Sequence, residues 1–157
     1  RVLRTGGLLM FSTFGPDTLW ELRESFAHAD ATPHVSPFAS IAQFGDALVH
    51  AGFKDPVLDR DLHETRYADL PALMRELQAM GATNALRTRR HTLTGRARFA
   101  AAARAYDAFR LENRELPATW ETITAMAWAP APGAPIREGA FEVTSVPVGS
   151  IPIRRRS

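Results

Sequence analysis

The chain has 157 residues, 45% of them apolar and 23% charged, which allows one globular domain or part of one and excludes a disordered or fibrous chain. It contains no cysteine, so disulfides, thiolate nucleophiles and cysteine-ligated metals are excluded, as fits a reducing cytoplasm. The formal net charge is +2 and Lys54 is the sole lysine; the basic residues are otherwise arginines, read as a solvated surface rather than a nucleic-acid face.

The apolar runs fall far short of the roughly 20 residues that span a bilayer, and no charged-then-apolar leader is visible, so neither a membrane span nor secretion is expected. "GGLLMFSTF" (6–14) is a continuous apolar run between Gly6-Gly7 and Gly15-Pro16. Such a run predicts a strand buried on both faces, as in a parallel sheet. "DTLWELRESFAHA" (17–29) follows with helical spacing at Leu19, Leu22 and Phe26, and Thr18 and Glu21 stand at capping-box distance. After a polar loop, "DATPHVSP" (30–37), a second helix is expected with Ser36 as N-cap, Pro37 at its first position and Gly52 near its end. Its inward stripe is Ile41, Phe44, Leu48 and Val49.

"DPVLDRDLHETRYAD" (55–69) reads as an extended edge strand, because Asp59, Arg60, Asp61, His63, Glu64 and Arg66 would discourage pairing with another molecule. "LPALMRELQAMGATN" (70–84) gives a short helix with Leu73, Leu77 and Met80 on one stripe and Gly81 as its stop. "TGRARFAAAARAYDAFRLENR" (94–114) is alanine-rich; Thr94 is the expected cap, with Phe99, Ala103, Tyr106 and Phe109 facing inward. "ATWETITAMAWAP" (118–130) is a strand ended by proline. Residues 1–130 form the expected domain portion, and 131–157 a Pro/Gly/Arg-rich tail, partly disordered, in which "FEVTSVPVG" (141–149) could add an irregular edge strand. Strand, helix and strand in succession point to an α/β fold.

Ligands of open α/β sheets bind beyond the carboxyl ends of parallel strands, which makes Ser12, Thr13, Phe14 and Gly15 candidate pocket residues. The glycines nearby do not form a phosphate loop, since the lysine and hydroxyl spacing is missing. His34, with Phe38 four residues on, either orients a carboxylate or caps local backbone. His28, His50, His63 and His91 show no metal-binding spacing, and Asp59, Asp61 and Glu64 suit an exposed edge better than a catalytic pair. In "MGATNALRTRRH" (80–91), Thr83 and Asn84 offer hydrogen bonds at a helix end, while Arg87, Arg89 and Arg90 either bind carboxylate or phosphate or form a solvated loop.

"RVLRTGGLLMFSTFGPDTLWEL" (1–22) resembles the stretch into the fifth strand of class I S-adenosylmethionine-dependent methyltransferases, with Thr5 where a proline is usual. Together "FSTFGPDTLWEL", "PHVSPF", "LMRELQAMGATN" and "LPATWETITAMAW" resemble the malonyl-acyl-carrier-protein O-methyltransferase family of biotin synthesis, from Arg1 to about Pro130. They are similar, less closely, to methyltransferase-like assembly proteins of mitochondrial complex I.

The resemblance implies the C-terminal part of a Rossmann-like class I sheet with a helical insertion, in the strand order 3-2-1-4-5-7-6. Residues 7–14 would be the fifth strand, 56–67 the sixth and 119–128 the seventh. It implies methyl transfer from S-adenosylmethionine to the free carboxylate of malonyl-acyl carrier protein or malonyl-CoA. Ser12, Thr13, Phe14, Gly15, His34, Phe38, Thr83 and Asn84 would then lie on the substrate side, and Arg87, Arg89 and Arg90, ahead of Arg75 as candidates, would form the surface for an acidic carrier protein. The glycine-rich loop and the acidic ribose-binding residue of the superfamily would both precede Arg1, so the main cofactor motifs are expected outside this chain. The fifth strand would then find a substitute neighbour, through self-association or an added local strand. The alternative is a non-enzymatic binding or assembly module that holds an acidic protein.

Overall fold

The computed structural model describes residues 3–29, 31–82, 86, 95–131, 133, 136–138 and 141–143. Its elements run β1 (Leu8–Phe14), α1 (Trp20–Ala27), α2 (Ile41–His50), β2 (Lys54–Tyr67), α3 (Leu70–Ala79), α4 (Arg96–Tyr106), a short 3-10 turn (Asp107–Phe109), β3 (Leu116–Trp128), β4 (Ile136–Glu138) and β5 (Phe141–Val143). The class is mixed α/β. One three-stranded sheet has the order β1-β3-β2, and a second sheet pairs β4 with β5 antiparallel. The β1–β3 pair is antiparallel as well: Ala129 N donates to Gly7 O at 2.8 Å, and Gly15 N to Glu121 O at 2.9 Å, so rising numbers meet falling ones.

Two compact units divide the chain. The first holds the described residues of Arg1–Thr13, Ser40–Asp59 and Ile123–Ser157. Its core is Leu48 of α2 with Ala125 and Ala127 of β3, joined by the half-buried Leu9, Phe11, Phe53 and Leu58. The antiparallel register places Leu8 opposite Trp128 and Met10 opposite Met126 on the other face of β1 and β3. All four are exposed, Met10 at 62%. A strand buried on both faces was expected here. Instead its burial alternates residue by residue, because α2 covers one side of the pair and no described residue of this unit covers the other.

The second unit, Phe14–Ala39 and Arg60–Thr122, is built on α1, α3 and α4. Leu22 and Phe26 of α1, Leu70, Leu73 and Leu77 of α3, and Ala102 and Tyr106 of α4 belong to one buried cluster. The i, i+3, i+7 spacing of Leu70, Leu73 and Leu77 makes the apolar stripe of α3. Asp69 caps that helix by accepting from Ala72 N at 2.8 Å, and Gly81 ends it at φ 74 while Ala82 N returns to Leu77 O.

Several local expectations are corrected. α2 is capped by Ser40 and not by Ser36: Ser40 and Gln43 form a reciprocal capping box, and α2 begins four residues after Pro37. Met80 lies past the end of α3 and is 56% exposed. α4 begins after Gly95, without a side-chain cap; Thr94 lies outside the described residues. The charged residues of β2 do occupy an edge strand and are exposed.

Candidate functional site

The second unit contains a cavity of about 580 Å³. It is assembled where β1 ends and the chain turns into α1. Gly15 N donates to Glu121 O at 2.9 Å, Thr18 N closes the turn on Gly15 O at 3.1 Å, and Leu19 N donates to Thr119 O at 2.7 Å. The segment is thus fixed to β3 residue by residue, and Phe14, Thr18 and Leu19 are delivered to the cavity wall. Leu19 holds φ 53, a left-handed conformation that disfavours a leucine by about 1–2 kcal/mol. Its buried side chain and its bond to Thr119 O hold it there.

Aromatic rings form much of the lining. Phe14 meets Trp120 at 5.5 Å and Phe38 at 6.0 Å between centroids, and Phe26 stacks on His34 at 4.2 Å. Such tilted, edge-on and stacked arrangements are those favoured by the ring quadrupole. The Trp120 indole is oriented by its Nε1, which donates to Thr65 Oγ1 at 2.8 Å. From α3 and its end come Met74, Leu77, Gln78 and Ala82. Among the described lining residues His34 is the one with an ionisable side chain other than hydroxyls, and none carries a carboxylate or guanidinium.

Behind the turn lies a buried carboxylate. Glu121 is 2% exposed. Its Oε2 accepts from Asp17 N at 2.6 Å and its Oε1 from Arg60 Nε at 2.5 Å, while Arg60 also pairs with Asp17. Paired and hydrogen-bonded, this buried charge is compensated. Glu21, equally buried, accepts from the backbone and hydroxyl of Thr119. The expected capping box of Thr18 and Glu21 therefore does not form: Thr18 Oγ1 donates to Glu121 O at 3.1 Å, and the glutamate is taken up by β3.

Of the residues singled out in the sequence, the cavity brings together Phe14, His34 and Phe38. Gly15 lies beside it against Glu121, and Ser12 and Thr13 are not among its lining residues. Thr83, Asn84, Arg87, Arg89 and Arg90 lie outside the described residues; Arg75 is exposed on α3. Sequence reasoning missed Trp120, Thr18 and Met74 as lining, and Glu121 and Arg60 as the pair that fixes the turn. The available signal was a tryptophan and a glutamate inside an otherwise β-forming run, Thr119–Thr122. Among the described residues no group of three metal-ligating side chains exists and no helix is long and apolar enough to cross a membrane.

No protein-family model matches the chain. Comparison with curated proteins finds 60% identity over all 157 residues with malonyl-[acyl-carrier protein] O-methyltransferase of Xylella fastidiosa, covering 53% of that protein. The enzyme of the same name from Nitrosospira multiformis is 47% identical over 132 residues, 84% of this chain and 43% of the relative. Malonyl-[acyl-carrier protein] O-methyltransferase 1 of Coxiella burnetii is 41% identical over 155 residues, covering 54% of its length. The chain spans about half the length of the curated relatives it matches. Throughout its 157 residues the chain resembles one portion of the malonyl-[acyl-carrier protein] O-methyltransferases.

Proposed function

We propose that the chain is the C-terminal portion of a cytoplasmic S-adenosylmethionine-dependent O-methyltransferase that esterifies the free carboxylate of malonyl-acyl carrier protein in biotin synthesis. The observation that carries this reading is the 60% identity over the whole chain with a relative of that name. The sheet order β1-β3-β2 supports it, being the order 5-7-6 that the resemblance implies, with β3 antiparallel to β1.

The chain supplies the acyl side of the site. A carboxylate is ionised at neutral pH, so its methylation needs no general base; what helps is a fixed position and the removal of water. Phe14, Phe38 and Trp120 provide walls of that kind, and the Glu121–Arg60 pair holds the turn that carries Phe14. The cofactor does not fit this cavity. A ribose is ordinarily gripped by an acidic side chain, and no described lining residue is acidic. On this reading its site belongs to other parts of the longer protein. The arginines of 87–90 remain the proposed surface for the carrier protein.

The test is methyl transfer by the full-length protein from labelled S-adenosylmethionine to malonyl-acyl carrier protein. Label recovered as a base-labile ester on the acyl group is the expected result; no transfer to malonyl-acyl carrier protein or malonyl-CoA overturns the reading and favours a binding module.

A further inference from the structure

We infer that the cavity of the second unit binds an uncharged acyl chain longer than malonyl, so that neutral acyl and methyl-ester thioesters occupy it more tightly than the malonyl thioester does. The acyl-thioester class rests on the proposed function; the preference for an uncharged, longer chain rests on the cavity alone.

Size is the first argument. About 580 Å³ lies within the range that houses drug-sized ligands and far exceeds a three-carbon acyl group. Charge is the second. The described lining offers Phe14, Phe26, Phe38 and Trp120 as aromatic surface, and no arginine, lysine, aspartate or glutamate. Moving an ionised carboxylate into such surroundings costs free energy that no arginine or lysine among the described lining residues offsets; His34, stacked on Phe26, is the one ionisable side chain other than hydroxyls in that wall. An alkyl chain in the same place loses only its contact with water. Shape is the third: the Phe14 ring packs against both Phe38 and Trp120, and Trp120 is held by Thr65, so the apolar wall is pre-formed. Methylation would convert the end of the acyl group that the cavity disfavours into one that it favours, and the enzyme's ester product should act as an inhibitor.

Calorimetry on the full-length protein with N-acetylcysteamine thioesters tests this. From acetyl through butyryl and hexanoyl to octanoyl, affinity should rise about three- to fourfold per methylene, and the methyl ester of the malonyl thioester should bind at least about tenfold tighter than the malonyl thioester itself. Ala82→Phe, at an exposed position of the cavity wall, should remove most of the gain of octanoyl over acetyl; Met74→Trp should do the same from the α3 side. A flat ladder, malonyl binding tighter than its methyl ester, or a ladder that neither variant alters would each overturn the inference. A flat ladder in a protein that methylates malonyl-acyl carrier protein refutes the cavity assignment alone. A normal ladder without methyl transfer refutes the proposed reaction and leaves the cavity assignment standing.

Discussion

Gly15 and Glu121 are in direct apposition: a Cβ at residue 15 would fall 2.3 Å from the Glu121 Cδ and 2.5 Å from its Oε2. Glycine is required here by that contact and not by a special backbone angle, since Gly15 does not adopt a positive φ. Gly15→Ala must push the carboxyl away from Asp17 N and Arg60. The expected loss is about 1–3 kcal/mol, as for other overpacked sites, read as a lower urea midpoint. An unchanged midpoint would show that the carboxyl is free to move.

Arg60 and Glu121 form an asymmetric pair, because the glutamate is buried while the arginine is partly exposed. Removing the cation strands the buried charge; removing the charge leaves a half-solvated arginine. Arg60→Ala should therefore cost more than Glu121→Gln, by about 1 kcal/mol or more. Urea titrations of both variants and of the double variant check the order, and equal costs would sink it.

The elements were legible in the sequence wherever a local rule decided them. The stripe of Leu73 and Leu77 with its Gly81 stop, the charged edge at 56–67 and the β-forming run at 118–128 all follow from spacing and residue type. The turn at 15–19 was not legible, because its partners lie about a hundred residues away. Thr18 and Glu21 have capping-box spacing, yet both are recruited by Thr119 and Glu121 of β3. The cavity was legible only in part. Phe14, His34 and Phe38 stand out as residues flanking turns, whereas Trp120 looks like any strand aromatic until Thr65 and Phe14 meet it. Likewise the run at 8–14 reads as doubly buried, because a continuous apolar sequence does not say which of its faces a neighbour covers.

That bare face carries its own consequence. Leu8 and Met10 on the edge strand β1 and Met126 and Trp128 on its neighbour β3 share one exposed face, a combination that favours association between copies. The 157-residue chain is expected to self-associate in sedimentation runs at micromolar concentrations, and Met10→Glu to shift it toward monomer. A wild-type chain that stays monomeric at those concentrations would contradict this.

Asp69 accepts from Ala72 N at the start of α3, the helix that supplies Met74, Leu77 and Gln78 to the cavity. Asp69→Ala should cost about 1 kcal/mol, and Asp69→Ser or Asp69→Asn should restore most of it. Thermal unfolding of the three variants separates capping from a general effect of charge: if only a carboxylate restores stability, the cap is not the cause.

Tyr106 gives the fold an alkaline limit. Its side chain is fully buried, and its hydroxyl donates to Pro117 O at 2.7 Å. Burial raises its pKa above the ordinary value of 10.0, with the nearby charges of Glu21 and Tyr67 adding to the effect. Tyr67 is shifted in the same direction, chiefly by burial. A raised folded-state pKa means that the unfolded chain releases the proton first. The stabilisation is therefore complete below about pH 10 and is lost as the pH climbs from there toward the folded-state value. Each such phenol should contribute up to about 1.4 kcal/mol per pH unit of lost stability in that window. Tyr106→Phe gives up the hydrogen bond to Pro117, about 1 kcal/mol at neutral pH, but it should flatten the alkaline slope. Urea midpoints at pH 8 and pH 11 measure both effects, and a slope as steep in Tyr106→Phe as in the wild type would remove Tyr106 from the explanation.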